Sequence, residues 1–438
     1  MNGPSERQLT FAPHGHVLTN VGVWSPDSKW IVYDVRSDAE GAMFGGDRIE
    51  AVQVKTGGVR VLYRAKNGAR CGVVTHHPVE PKVVFILGPE HPTPEYSYGP
   101  ARREGVIVDT RRSGIATNLD ARDLTPPYTR GALRGGTHVH VFTPDGQWVS
   151  FTYDDDVLSR FISSSPDHDI NQRNIGVAVP DAGPVCVGRG HPRNHDGDYF
   201  SVLVTRTTSV PRRGSDDITR AFEEAWIGTN GYRCPDGSRQ RRAIAFQGIV
   251  VTPEGREISE VFLVDLPDDL TVPGDGPLEG TPTRRPFPPR GVVQRRLTFT
   301  ADRPFPGIQG PRHWLHSAPD GSRIAFLMKD DTGIVQLWTV PPTGGQPTQV
   351  TRNAWPIASA FTWSPDGRCI AHVMDASVCV TDVATGTTRR LTAPSDPPPR
   401  PEACVFSPDG RSIAFVRLTK ESEREWNQVF VMSLPNDM

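Results

Sequence analysis

Apolar residues along this chain come in short runs rich in β-branched and aromatic side chains, and five of the runs follow the same turn. Trp24-Ser25-Pro26-Asp27-Ser28 precedes Trp30–Tyr33, Phe142-Thr143-Pro144-Asp145-Gly146 precedes Trp148–Phe151, and Ser317-Ala318-Pro319-Asp320-Gly321 precedes Arg323–Phe326. Trp363-Ser364-Pro365-Asp366-Gly367 and Phe406-Ser407-Pro408-Asp409-Gly410 complete the set. Each copy predicts a strand, a tight turn and a returning strand, because proline presets φ at the second turn position and glycine accepts positive φ. One hairpin cannot bury its own apolar face. Several stacked around an axis can, so the repeat predicts a propeller.

The spacing predicts an all-β, seven-bladed β-propeller with four-stranded blades, one domain over residues 1–438. Blades are expected to begin near Asn20, Cys71, Gly136, His313, Ser359 and Glu402, with an irregular fourth blade between the third and the fifth. In that blade His195-Asp196-Gly197-Asp198 stands in for the turn before a strand at 199–205. An insertion is expected over 207–242, with Ser215–Trp226 as a short helix capped by Ser215. A Pro-rich irregular stretch covers 267–290. Arg7-Gln8-Leu9-Thr10-Phe11 recurs as Arg295-Arg296-Leu297-Thr298-Phe299 and Arg389-Arg390-Leu391-Thr392, where it ends a blade. The N-terminal copy is therefore expected to supply the outer strand of the last blade and close the ring without leaving an open edge.

Charge is nearly balanced, with 48 Lys and Arg against 50 Asp and Glu. That removes the electrostatic case for nucleic acid or an anionic membrane surface. No run approaches the roughly 20 apolar residues of a membrane-spanning helix. The first residues, Met-Asn-Gly-Pro-Ser-Glu-Arg-Gln, hold no apolar core of a secretory signal. A cytoplasmic protein is expected, with its 6 scattered cysteines as reduced thiols. Walker A, Gly-x-Ser-x-Gly and His-Glu-x-x-His strings are absent, which sets aside the hydrolases that place a propeller before a catalytic α/β domain.

Three strings carry a family resemblance: Leu133-Arg134-Gly135-Gly136-Thr137-His138-Val139-His140-Val141-Phe142, Arg290–Thr300, and Ile324–Asp331 continuing through Gly333–Trp338. With the Pro-Asp-Gly hairpins they resemble the YidR-type family of unknown function, within the TolB-like repeat propellers (the PD40 or WD40-like repeat). A more distant similarity is to oligogalacturonate lyases. That likeness implies a seven-bladed propeller holding a divalent metal with histidines in its channel and eliminating across a uronate.

Propeller topology selects a face. The Pro-Asp-Gly turns lie on one rim with short partner turns, and the opposite rim carries the long segments 36–48, 88–104, 119–136, 155–172 and 207–242. Long loops on a rigid frame are the usual place for binding. Innermost strands aligned on the turn proline bring Asn20, His138, His313 and Glu402 into one layer, and Arg189 and His191 join from blade four. Strand side chains alternate with period two, so His138 and His140 are expected to share a face. Such a layer suits a metal or acid–base site: His138, His140, His313 and His191 as ligands of Mn, Fe, Ni or Zn, with His138, His140 and Arg134 as the catalytic set. Arg130, Arg102, Tyr98, Asn20 and Glu402 are candidates for holding substrate, since arginine pairs with carboxylates and tyrosine stacks on sugar faces. Packing or solvated channel wall is the structural alternative for each histidine, and an ordinary loop for each arginine. The expected ligand is a sugar acid or acidic oligosaccharide. If the protein is an enzyme, a metal-dependent carbon–oxygen lyase is expected. The alternative is a non-catalytic scaffold binding a protein or peptide on the same rim.

Overall fold

The computed structural model describes residues 5–435 except 20, 39, 40, 42, 312, 313, 422 and 423. Asn20 and His313 therefore lie outside the described residues. Seven four-stranded antiparallel sheets make up the ring, with one additional two-stranded hairpin. Blade one runs outward from Gly15–Val17 through Trp30–Arg36 and Arg48–Gln53 to Val59–Arg64. The innermost strands of blades two to seven are Cys71–His76, Gly135–Phe142, Ile218–Trp226, His316–Ser317, Thr362–Trp363 and Pro399–Phe406. The seventh sheet takes its outermost strand from the other end of the chain: Ser5–Gln8 pairs with Arg424–Ser433 in the register Ser5↔Ser433 to Gln8↔Phe430. The ring is closed without a covalent link, as the repeated Arg-Leu-Thr string predicts.

The turn chemistry is uniform. In the turns at Asp27, Asp145, Asp366 and Asp409 the aspartate Oδ1 accepts both the backbone N–H two residues on and the hydroxyl two residues before. Gly146 and Gly410 follow at φ 76° and 69°, the left-handed conformation the turn requires. In blade one Ser28 adopts φ 57° in the same place.

Among the described residues, seven apolar clusters fill the seven junctions between neighbouring blades. Tryptophans tie three of these junctions. Trp24, Trp226 and Trp363 donate their indole N–H to carbonyls of the preceding blade, at Val405, Val141 and His316.

Blade four departs from the sequence expectation. Ser215–Trp226 is not a helix: Ile218–Trp226 is the blade's innermost strand, paired with Arg242–Val251. Ala, Glu and Arg favour a helix there, but Ile218, Ala221 and Trp226 sit in the junction core, and sheet pairing plus burial override a weak local preference. Phe200–Leu203 is the outermost strand of blade three, not a strand of blade four. The Asp-Gly pair before it belongs to an irregular connection in which Asp196 accepts from the Val187 N–H at 2.8 Å. The 207–242 segment thus contains a strand of the ring, and the small hairpin Tyr232–Arg233 with Arg239–Gln240 is what projects from it. No helix of the described residues is long and apolar enough to cross a membrane.

Candidate functional site at the channel mouth

A cavity of about 510 Å³ opens at the rim of the long loops, lined among others by Asp34, Arg36, Phe44, Tyr98, Arg103, His138, Trp314, Arg400 and Glu402. Asp34 and Arg36 end the second strand of blade one. Phe44 and Tyr98 come from the loops that follow the second strands of blades one and two. Three turn prolines, Pro78, Pro144 and Pro319, border a second cavity of about 300 Å³ at the opposite rim. Trp314 lines both cavities.

The mouth is a stack of cations and rings. Phe44 stacks on Tyr98 with centroids 4.5 Å apart and planes 9° apart. Arg36 lies 5.0 Å above Phe44 and Arg103 lies 5.3 Å from the Tyr98 ring. Arg36 is ion-paired with buried Asp34. Arg103 forms no ion pair among the described residues, and its Nε and Nη1 are buried without a hydrogen-bond partner. Burial, the largest effect, pushes its pKa down. Arg400 lies 3.5 Å from Glu402. His138 is held well below the usual imidazole range, first by burial and then by the positive charges of Arg103, Arg173 and Arg36. It is therefore a neutral imidazole at physiological pH, with its Nδ1 buried and unpartnered.

A bulge decides which histidine reaches the mouth. Val139 takes φ 51°, and the pairing of Gly135–Phe142 with its neighbour slips between His138 and Val141. Innermost strands two and four carry the same device at Val73 (φ 58°) and Glu223 (φ 55°). The bulge breaks the alternation that would have placed His138 and His140 together. His138 lines the cavity. His140 is fully buried beside Gly105 of blade two, so close that a Cβ there would lie 2.5 Å from its Nε2. Burial lowers its pKa to about 3.

The other sequence candidates disperse. Arg134 does not line the mouth: its side chain is 1% exposed, donates to Asp155 at 2.9 Å, and reaches the carbonyls of Thr281 and Arg284. Arg102 pairs with Asp156 at 3.3 Å and lies over Tyr96. Arg130 is exposed in a crevice with Asp268 and Asp269. Arg189 and His191 belong to the connection between the third and outermost strands of blade three, so their alignment with the innermost strands fails. Arg189 pairs with Asp196 at 2.7 Å. Tyr98, His138 and Glu402 are the predicted residues that the structure brings together. Asp34, Arg36, Phe44, Trp314 and Arg400 were not foreseen. Asp34 and Arg36 carried a signal, two charges at strand period entering a long loop.

Among the described residues one imidazole, His138, borders the mouth, too few for the histidine-held metal expected there. Among the described residues, one group of three His, Cys, Asp or Glu donors converges, at His14, His16 and Glu50. None of these three borders the mouth cavity.

Residues 70–195 match the family described as "Protein of unknown function (DUF3748)". The sequence is 48% identical over 414 residues to the uncharacterised protein YidR of Escherichia coli (strain K12), covering 94% of each chain. Among solved structures, oligogalacturonate lyase in complex with manganese superposes with a TM-score of 0.54 at 11% identity, covering 99% of this chain and 93% of that one. Oligogalacturonate lyase from Vibrio parahaemolyticus superposes with a TM-score of 0.53 at 12% identity, covering 99% and 94%. Likeness at that identity establishes the propeller fold.

Proposed function

This chain belongs to the YidR family, and we propose that the mouth of its central channel binds a small carbohydrate carrying a carboxylate. The observation that carries this is Arg103: a buried guanidinium with two unsatisfied N–H positions in a cavity walled by Tyr98, Phe44 and Trp314. Buried guanidinium N–H groups without acceptors are costly, and a carboxylate would supply both a countercharge and the hydrogen bonds they lack. The flat aromatic faces suit a sugar ring, and a volume near 500 Å³ suits one or two residues. A protein-binding scaffold calls for an apolar rim; this mouth gathers arginines instead.

His138 gives the site its reactive group. A neutral imidazole beside Arg103 can accept the proton next to the bound carboxylate. The C–H electron pair then forms the new double bond as the neighbouring C–O bond breaks, the bonding pair leaves on the oxygen, which takes a proton from water, and the arginines hold the charge that develops on the carboxylate. This elimination needs no metal at the mouth.

The test is calorimetric titration with galacturonate oligomers and their neutral galactose counterparts, alongside ultraviolet detection of the conjugated unsaturated product. Binding is expected for the acidic series alone, to weaken with salt, and to fall about tenfold or more in Arg103→Gln. Loss of product with retained binding in His138→Ala would support the elimination step. Equal affinity for neutral and acidic sugars would overturn the proposal.

A further inference from the structure

We propose that His14, His16 and Glu50 form a site for one divalent transition-metal ion of the zinc, cobalt or nickel class, set at the seam where the propeller closes. One donor atom from each residue lies within 4.8 Å of the other two. His16 is prepared as a ligand. Its Nδ1 lies 2.8 Å from the Asn427 carbonyl, so Nδ1 carries the proton and the lone pair sits on Nε2. That Nε2 is buried, without a partner, on a residue of zero exposure.

Glu50 is oriented in the same way. Its Oε1 is held by Arg48 Nε at 2.6 Å. Its Oε2 accepts the Tyr33 hydroxyl at 2.9 Å and faces His14 Nε2 at 3.7 Å. Tyr33 and Arg48 thus orient the carboxylate from outside, as second-layer groups do around metal ligands. His14 stacks on His16 with centroids 4.5 Å apart. Arg48 Nη2 lies 3.3 and 3.4 Å from its two ring nitrogens, and a partly exposed His14 can turn one of them to the ion. Two imidazoles and one carboxylate select borderline ions over calcium or magnesium and leave room for water.

The position gives the ion a role. His14 stands in the stretch joining the outermost strand of blade seven to the innermost strand of blade one. The His16–Asn427 bond crosses between those blades. An ion bridging His14 to Glu50 would tie that joining stretch to the third strand of blade one.

Cobalt(II) titration of metal-stripped protein, followed by its visible d–d absorption, tests this together with the thermal midpoint in zinc. One equivalent of cobalt with ligand-field bands, and a midpoint raised by zinc, is the expected result. His14→Ala should abolish both responses. His14→Gln covers the case in which the alanine variant fails to fold. Tyr33→Phe should weaken cobalt binding about tenfold. Absence of the bands in the parent, or bands that survive in both His14 variants, would overturn the site and leave a metal-free ion-pair network.

Discussion

His138 and His140 are two positions apart on one strand, yet they serve different compartments. Val139, at φ 51°, turns the first to the channel and the second into the junction with blade two. A backbone irregularity, not side-chain type, therefore decides which of the two imidazoles lines the mouth.

Arg134 is expected to matter for stability and not for ligand affinity. Its guanidinium and Asp155 are both almost fully buried, and it also fastens two carbonyls of the Pro-rich stretch. Arg134→Met leaves the carboxylate uncompensated and should cost about 3–5 kcal/mol in urea unfolding. Adding Asp155→Leu should recover part of that loss. Uronate affinity of the folded variant should match the parent.

Acid should destabilise the fold steeply. Burial sets the pKa of His16, His316 and His372 near 4 and that of His140 near 3. Each ring is neutral in the fold while the unfolded chain protonates near 6.5, so the stability they contribute is present above 6.5 and is lost as pH falls toward 4. Each contributes at most about 1.4 kcal/mol per pH unit. Urea unfolding at pH 5 and 7 should show the combined slope, and His140→Leu should reduce it by one proton. A flat profile would contradict the buried neutral imidazoles.

Glu224 is expected to act with the opposite sign. Burial raises its carboxyl to about 8, one oxygen accepts Thr152 at 3.2 Å, and the other has no partner. The fold keeps this proton up to about pH 8, whereas the unfolded chain releases it near 4.5. Its burial therefore costs progressively more across that window. Glu224→Gln should gain on the parent as pH rises from 5 to 8, by at most about 3 kcal/mol at pH 7. Equal differences at pH 5 and 8 would show that the carboxyl is ionised in the fold.

Much of the architecture was legible because turn chemistry is local. Ser-Pro-Asp-Gly writes its own hydrogen bonds, and the Arg-Leu-Thr strings announce the closing strand. Blade four was not legible because Asp196-Gly197 imitates a hairpin turn while serving an irregular connection, and because Glu223 and Glu224 make an innermost strand look helical. The site was half legible. Tyr98 and Arg103 stood in a long loop and His138 in an innermost strand. A valine at positive φ is disfavoured by its own side chain, so no sequence rule would have placed the bulge that parts His138 from His140. Glu50 stands far along the chain from His14 and His16, and only the folded blade brings them together.

The closing strand also sets a timetable. Ser5 must wait for Ser433, and at about 5–20 residues per second synthesis of the intervening chain takes on the order of 20–90 s. Through that interval Ser5-Glu6-Arg7-Gln8 has no native partner, and it contains no apolar side chain that would recruit a foreign one. The strand that completes the ring is made first, used last, and composed so that the delay is harmless.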